Sequence, residues 1–340
     1  MNPKLLEIQL TPKCNLQCNY CGNEPSYRSM ENLRKETALK VIRELKPEKI
    51  LFIGGEVYLA FYTLLEILKQ THTENFGYII SSNMSLISKQ EIDLLIEDYG
   101  IRVFHSSFND LDDNMSMAIR KGSPFQRKAI IDSFEHIIKR NCELKVETII
   151  LPQTINKLTE INELLYDLGV KHHKIEFLIP TGNASTDLLV PIPEIEEAII
   201  RLYTNKKNNA KIEMTCFYLS PCLNNANRIF TIPSDDKGFI YNKCVDGIET
   251  CYLLSNGSLV PCFLFPDNIY DTNVIEKNSL DIWNNHELFV DFRKENSDCS
   301  NCDHFYYNSH KQRNKKCNNG CRVLNYLNTK TFGSKINSFY

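Results

Sequence analysis

The stretch Leu5-Leu6-Glu7-Ile8-Gln9-Leu10-Thr11-Pro12-Lys13-Cys14-Asn15-Leu16-Gln17-Cys18-Asn19-Tyr20-Cys21 decides how this chain is read. Leu5–Leu10 alternates apolar and polar residues and predicts a strand. Pro12 cannot extend it, and three cysteines follow at spacing C-x3-C-x2-C. Three thiolates on one short loop form a metal-ligand pattern. On a four-iron cubane they anchor three irons and leave the fourth with an open position, able to bind and reduce a small molecule. The competing reading is a zinc knuckle, which wants a fourth Cys or His nearby; the residues that follow offer none.

Working outward, the chain has 340 residues, enough for one large domain and a smaller one. A net charge of −3 gives no broad basic face, so nucleic acid is not an expected partner. The short basic run Lys311–Lys316 reads as a solvated loop. No stretch approaches the roughly 20 apolar residues of a membrane helix, and the N-terminus lacks a signal-peptide core, so no membrane is expected. Thirteen cysteines in such a chain argue for metal ligation in a reducing cytoplasm, not for disulfides.

Strand-like and helix-like segments then alternate. Strands are predicted at 49–53, 77–81, 101–106, 144–151 and 174–179. Helices are predicted at 35–45, 59–70, 89–99, 125–140 and 158–168. Six strand–helix units imply parallel strands with right-handed crossovers, a partial (β/α)6 TIM-like barrel whose chemistry lies at the C-terminal strand ends. A helix at 193–203 closes the series, after which the alternation is read as ending. Tyr252–Leu254 and Leu259–Val260 around Ser255-Asn256-Gly257 read as a hairpin, and 279–294 as one helix. The expected division is a barrel at 1–185, a bridging segment at 186–243 and a small Cys-rich α+β iron–sulfur domain at 244–340.

The cysteine triplet, with Tyr20 just before its third member, resembles the radical S-adenosylmethionine (SAM) superfamily. The resemblance implies a [4Fe–4S] cluster on Cys14, Cys18 and Cys21, with SAM as its partner. Further segments match. Gly54-Gly55-Glu56 after the second strand implies the segment that receives the methionine ammonium of SAM, its glycines letting the backbone come close to a ligand. Ser82 and Asn83 end the third strand, and Ser107 ends the fourth within Ser106-Ser107-Phe108-Asn109, near the expected ribose and carboxylate. Arg120 follows and could pair with the SAM carboxylate. Pro180-Thr181-Gly182-Asn183-Ala184 resembles the family's Pro-x-Gly-x-Ala segment, making Ile179 and Thr181 expected adenine-side contacts. Alone, each of these segments reads equally as a tight turn, a strand cap or a surface arginine.

Seven cysteines between Cys244 and Cys321, with Gly257-x4-Cys262, resemble the SPASM extension of that superfamily. The resemblance implies one or two auxiliary [4Fe–4S] clusters. Cys244, Cys251, Cys262 and Cys321 would hold the first, and Cys299, Cys302 and Cys317 would give three ligands to a second. The gap after Cys302 is longer than the family's, and its final cysteine is missing. Cys222 or His304 could substitute, or one shortened set of Cys244, Cys262, Cys299 and Cys302 could serve. Zinc on paired cysteines is the alternative. Cys216 and Cys222, outside these sets, are candidate hydrogen-atom donors or buried thiols, and Cys142 reads as core. Phe263 stands where a sulfatase-activating branch has a catalytic Asp, which counts against that branch. His105 reads as a packed strand residue.

The expected activity is reductive cleavage of SAM to a 5′-deoxyadenosyl radical, then hydrogen abstraction from a peptide or small-protein substrate. The outcome would be a thioether, a carbon–carbon crosslink, an epimerised centre or an oxidised side chain. With only 13 residues before Cys14, no fused leader-binding domain is expected to precede the barrel. Substrate would be recognised directly or through a separate leader-binding protein, with electrons from a flavodoxin- or ferredoxin-type donor. The alternatives are a small-molecule dehydrogenase or mutase of the same superfamily, and a non-catalytic iron–sulfur or zinc scaffold.

Overall fold

The computed structural model describes residues 1–23, 31–206, 209–215, 238–242, 245–265 and 271–295. The first unit is β1 (Leu5–Gln9) and α1 (Lys35–Leu45), followed by β2 (Lys49–Ile53), α2 (Phe61–Thr71), β3 (Gly77–Ser81) and α3 (Lys89–Glu97). Next come β4 (Val103–Ser107), α4 (Asp113–Arg120), α5 (Pro124–Lys139), β5 (Glu143–Ile149), α6 (Leu158–Asp167), β6 (His172–Glu176) and α7 (Ile192–Asn205). The strands pair in parallel and in sequence order, Leu5 opposite Lys49 and Glu147 opposite Lys174, giving the α/β partial barrel expected from the alternation.

The alternation does not end there. β7 (Lys211–Thr215) pairs in parallel with β6, and β8 (Phe239–Asn242) in parallel with β7. Lys211-Ile212-Glu213-Met214-Thr215 has only two apolar residues, so it lacks the continuous apolar run that marks most strands of a parallel sheet. Both are fully buried against the helix side. At the other edge, β9 (Thr250–Leu253) pairs in parallel with β1, Leu6 opposite Cys251, and β10 (Leu259–Val260) completes the predicted hairpin. The sheet order is therefore β10-β9-β1-β2-β3-β4-β5-β6-β7-β8. The single helix expected near the end is two, α8 (Ser279–Asn285) and α9 (Glu287–Glu295), which meet at an extended His286. Helix α4 lies outside the predicted set; Asp112 caps it, accepting the Met115 N–H at 2.9 Å.

Period-two alternation divides the sheet into two faces. Leu6, Ile8, Ile50, Phe52, Tyr78, Ile80, Phe104, Leu144 and Val146 pack against the helices. α1 contributes Ala38, Leu39, Val41, Ile42 and Leu45 to the same core. Full burial of each large aliphatic side chain there contributes about 1.5–3 kcal/mol. On the opposite face stand Glu7, His105, Lys145, Glu147, Lys174, Glu176 and Glu213. Lys174 Nζ pairs with Glu147 at 3.2 Å and also with Glu176, and Lys145 pairs with Glu213 at 2.8 Å. Burial, then the nearby Lys145, push His105 down to about 3, so its imidazole stays neutral. No helix among the described residues is long and apolar enough to cross a membrane.

Candidate active site

The cysteine loop leaves β1 at its C-terminal end and is held by hydrogen bonds from three other strand ends and one helix. From β2, the Gly55 N–H donates to Thr11 O at 2.7 Å and the Glu56 N–H to Lys13 O at 2.8 Å. From α4, the carbonyls of Ile119 and Arg120 accept the N–H groups of Asn19 (3.0 Å) and Gln17 (3.2 Å). Beyond β6, Asn183 donates from its backbone to Cys21 O (2.9 Å) and from Nδ2 to Cys18 O (2.8 Å). Cys14, Cys18 and Cys21 are half-buried free thiols. Burial pushes Cys14 up to about 11. Burial also raises Cys18, against the lowering pull of the Arg120 guanidinium and the Tyr20 hydroxyl. Among the described residues, no three Cys, His, Asp or Glu side chains converge as on a single metal ion. A cubane takes each thiolate on a different iron, and a coordinating thiol is deprotonated outright.

Gly54 and Gly55 also have a reason internal to the fold. A Cβ on Gly55 would stand 2.4 Å from Lys13 O, and one on Gly54 2.9 Å from Thr11 O. The glycines let the end of β2 press against the cysteine loop itself. Gly182 does the same from the β6 side: at φ +62°, its Cβ would fall 2.3 Å from Gly22 O. Glu56 is buried and fastens two strand ends together. Its Oε1 accepts the Ser82 hydroxyl at 2.7 Å and the Tyr58 N–H at 3.1 Å, and its Oε2 accepts the Asn83 N–H at 2.8 Å. Burial raises its carboxyl, and these hydrogen bonds oppose the rise. Asn83 Nδ2 donates to Asn15 Oδ1 at 2.9 Å and stands 4.0 Å from Cys14 Sγ.

Arg120 is 1% exposed. Its Nη2 donates to Ser107 O, while Nε and Nη1 have no hydrogen-bond partner among the described residues. Asp110 Oδ2 is 3.8 Å from Nε, and the same carboxylate accepts Arg127 Nε at 2.6 Å. A buried guanidinium with two free N–H groups beside Cys18 and Cys14 suits an anionic group brought to this loop, whether a thiolate-bound cluster or a carboxylate. Tyr20 accepts a hydrogen bond from Asn109 Nδ2 at 2.7 Å. The Thr181 hydroxyl has no hydrogen-bond partner among the described residues and lies beside Gly22, while Ile179 is half-buried and accepts the Thr181 N–H at 2.8 Å. Phe263, 47% exposed, also approaches Gly22 and tilts against Tyr252. The loop's residents therefore include Cys14, Cys18, Cys21, Tyr20, Gly54, Gly55, Glu56, Asn83, Ser107, Arg120 and Thr181. Sequence reading passed over Thr11, Asp110 and Asn183, polar residues just past strand ends whose roles arise from long-range hydrogen bonds.

The C-terminal cysteines are described only in part. Cys251 is fully buried among Leu6, Leu253 and Leu259, whereas Cys262 packs with Tyr252, Val260 and Phe265 in a second core. The two thiols thus occupy opposite faces of the hairpin and do not share one site among the described residues. Burial pushes the Cys251 thiol well up. Cys142 is core, as expected. Cys216, Cys222, Cys244, Cys299, Cys302, Cys317 and Cys321, together with His304 and the run Lys311–Lys316, lie outside the described residues.

Three thiols and a buried arginine thus lie together at the mouth of a parallel α/β barrel. The profile of the radical SAM superfamily matches residues 8–165, and that of the SPASM iron–sulfur cluster-binding domain matches residues 244–303. The chain carries a radical SAM domain and a SPASM domain; its cofactors are a [4Fe–4S] cluster, SAM and auxiliary iron–sulfur clusters. It is 23% identical to an AdoMet-dependent heme synthase of Methanosarcina barkeri, over 96% of this chain and 93% of the relative. Its fold is similar to that of Streptococcus suis SuiB bound to precursor peptide SuiA, with a TM-score of 0.69, 16% identity and coverage of 90% of this chain and 71% of that one. It is also similar to that of anSMEcpe with bound AdoMet and Cp18Cys peptide, with a TM-score of 0.62, 15% identity and coverage of 99% of both chains.

Proposed function

We propose that this radical SAM enzyme abstracts hydrogen from a peptide or small-protein substrate, with Cys14, Cys18 and Cys21 holding the SAM-binding cluster. Loaded with reduced cluster and SAM, such a site supplies a 5′-deoxyadenosyl radical. The chain's own residues supply placement. The Gly54–Glu56 segment, fixed by Ser82 and Asn83, lies on one side of the cysteine loop and would meet the SAM ammonium. Arg120, through Nε and Nη1, which lack a hydrogen-bond partner among the described residues, would meet the carboxylate. Thr181 and Ile179, both half-buried, would wall the adenine side. The observation that carries the reading is this loop, in which three thiols and a buried guanidinium with two nitrogens lacking a hydrogen-bond partner among the described residues are held together at strand ends.

The peptide substrate is supported by likeness of fold to two enzymes crystallised with peptides. A flavodoxin- or ferredoxin-type donor in a reducing cytoplasm, and a separate leader-binding protein or direct recognition, complete this reading. The chain is read as barrel 1–185, a segment 186–243 that continues the barrel sheet through β7 and β8 instead of merely bridging, and auxiliary domain 244–340, whose β9 pairs with β1. Its auxiliary cluster would sit on the shortened set Cys244, Cys262, Cys299 and Cys302, which leaves out Cys251. The relation to a heme synthase along nearly the whole chain favours a second reading, a small-molecule dehydrogenase or mutase.

The test is anaerobic reconstitution with SAM and dithionite, followed by mass spectrometry of 5′-deoxyadenosine and of candidate substrates. A peptide encoded beside this gene should change mass and transfer deuterium to 5′-deoxyadenosine. Consumption of a tetrapyrrole with every peptide unchanged would establish the second reading instead.

A further inference from the structure

Exposed apolar side chains flank the cysteine loop on its β3–β4 side. Leu16, midway between Cys14 and Cys18, is buried, and a Cβ on Gly122 would stand 3.3 Å from its side chain. Gly122 joins α4 to α5. Met117 on α4 is 40% exposed, and Phe125 in the first turn of α5 is 85% exposed. On the other flank Asn15 Nδ2 donates to Ser85 Oγ at 2.8 Å, and the next residue, Leu86, is 43% exposed. Lys121 follows Arg120, whose carbonyl accepts the Gln17 N–H at 3.2 Å, and Lys89 opens α3 just after Leu86. Both lysines are exposed, as is Lys13 before the first cysteine, and none of the three forms an ion pair among the described residues. The carboxylates nearest in the chain to Lys89, Lys121 and Phe125 are already engaged: Glu91 by Ser88 at 2.7 Å, Asp113 by Arg127 at 3.8 Å and Asp132 by Lys128 at 2.8 Å.

We propose that this face docks a small acidic electron-carrier protein of the flavodoxin or ferredoxin class, with Leu86, Met117 and Phe125 as its apolar contacts and Lys89 and Lys121 as its charged rim. Unpaired positive charge around exposed apolar side chains is complementary to an acidic partner, and redox encounters of this kind are small and steered by charge. The inference rests on the reading that Cys14, Cys18 and Cys21 hold the SAM-binding cluster. Reductive cleavage of each SAM consumes one electron. That electron leaves the carrier and enters the cluster; no bond forms or breaks in the transfer and no proton moves. A carrier seated here meets the loop at Asn15 and Leu16, between two of the cluster ligands. Thr181, Asn183 and Phe263 approach the loop from its other end, at Cys18, Cys21 and Gly22, so carrier and substrate do not compete for one surface.

The test compares two reductants on the full reconstituted chain, following 5′-deoxyadenosine formed from SAM. Dithionite is a small ion that needs no docking face; a purified acidic flavodoxin, kept reduced by its reductase, does. Lys89→Glu with Lys121→Glu, and separately Phe125→Ser, change exposed side chains only. Each variant should raise the KM for flavodoxin about tenfold while the dithionite rate stays at the wild-type value, and the charge variant should also flatten the dependence on salt. Isothermal titration with oxidised flavodoxin should show the same weakening without turnover. Wild-type KM and affinity in both variants, or equal losses with the two reductants, overturn the docking face while the cluster assignment stands. So does a wild-type protein driven by dithionite and not by flavodoxin. A wild-type protein that forms no 5′-deoxyadenosine with dithionite overturns the proposed function, and this inference with it.

Discussion

Cys251 and Cys262 sit on opposite faces of one hairpin. Leu259 pairs with Leu253 and Val260 with Tyr252, so alternation sends Cys251 to the helix-side core and leaves Cys262 packed with Tyr252 and Val260. Only Cys262 is then placed to join a cluster built on the same face as Tyr252. Cys251→Ala should keep the wild-type iron and sulfide content and cost about 1 kcal/mol of stability from lost packing. Cys262→Ala should lose one cubane's worth of iron. Iron and sulfide assays on anaerobically reconstituted protein check both, and equal losses in the two variants would contradict the division of faces.

Gly55 is the tightest contact between β2 and the cysteine loop. Gly55→Ala forces a methyl to within 2.4 Å of a backbone carbonyl, a clash that only backbone movement relieves. It should cost about 1–3 kcal/mol and displace the loop, lowering iron bound by the triplet. Gly100→Ala is the control: nothing lies within 4 Å of its added Cβ and only its φ of +68° opposes the change. It should cost about 1 kcal/mol and leave iron content unchanged. Chemical unfolding and iron assay separate the two.

Arg120 brings to the thiols two buried nitrogens, Nε and Nη1, that have no hydrogen-bond partner among the described residues. Arg120→Lys keeps a positive charge but loses the planar fork, so SAM should bind about tenfold more weakly while cluster content holds. Isothermal titration of SAM into the reconstituted protein measures this. Unchanged SAM affinity would reassign the arginine to the cluster alone.

Glu7 gives the fold a pH dependence. Burial, then the charge of Asp246, push its carboxyl up to about 8 from an ordinary 4.5, against a lowering hydrogen bond with Tyr252. The folded chain holds this proton more tightly than the unfolded one. Its contribution to stability is therefore fully present below about pH 4.5 and lost as pH rises through about 8. Glu7→Gln stays neutral throughout. Urea midpoints should move in the variant's favour across that window, on the order of 1 kcal/mol because water reaches this face of the sheet. Parallel pH profiles for the two proteins would exclude the effect.

Much of the barrel is legible in the chain because its signals are local. Leu5–Leu10, Lys49–Ile53 and Gly77–Ser81 are recognised within a few residues of where they form, and three cysteines on one loop announce a cluster by their types and spacing. β7 escaped because Lys211 and Glu213 interrupt its apolar pattern. In the structure Glu213 instead meets Lys145, from a strand two places away in the sheet. The pairing of β9 with β1 joins segments more than 240 residues apart, a distance over which no propensity carries information.

The amino-acid order by itself determined the parallel α/β framework, the three thiols and their place after the first strand, since periodicity and ligand spacing are properties of neighbouring residues. The tertiary structure alone decided why Gly54 and Gly55 are glycines, which face each hairpin cysteine takes, and how Asn109 bridges Tyr20 and the β5 backbone at Ile149. Those depend on which backbone carbonyls and which faces come within a few ångströms of each other, and close packing sets that only once the whole sheet has formed.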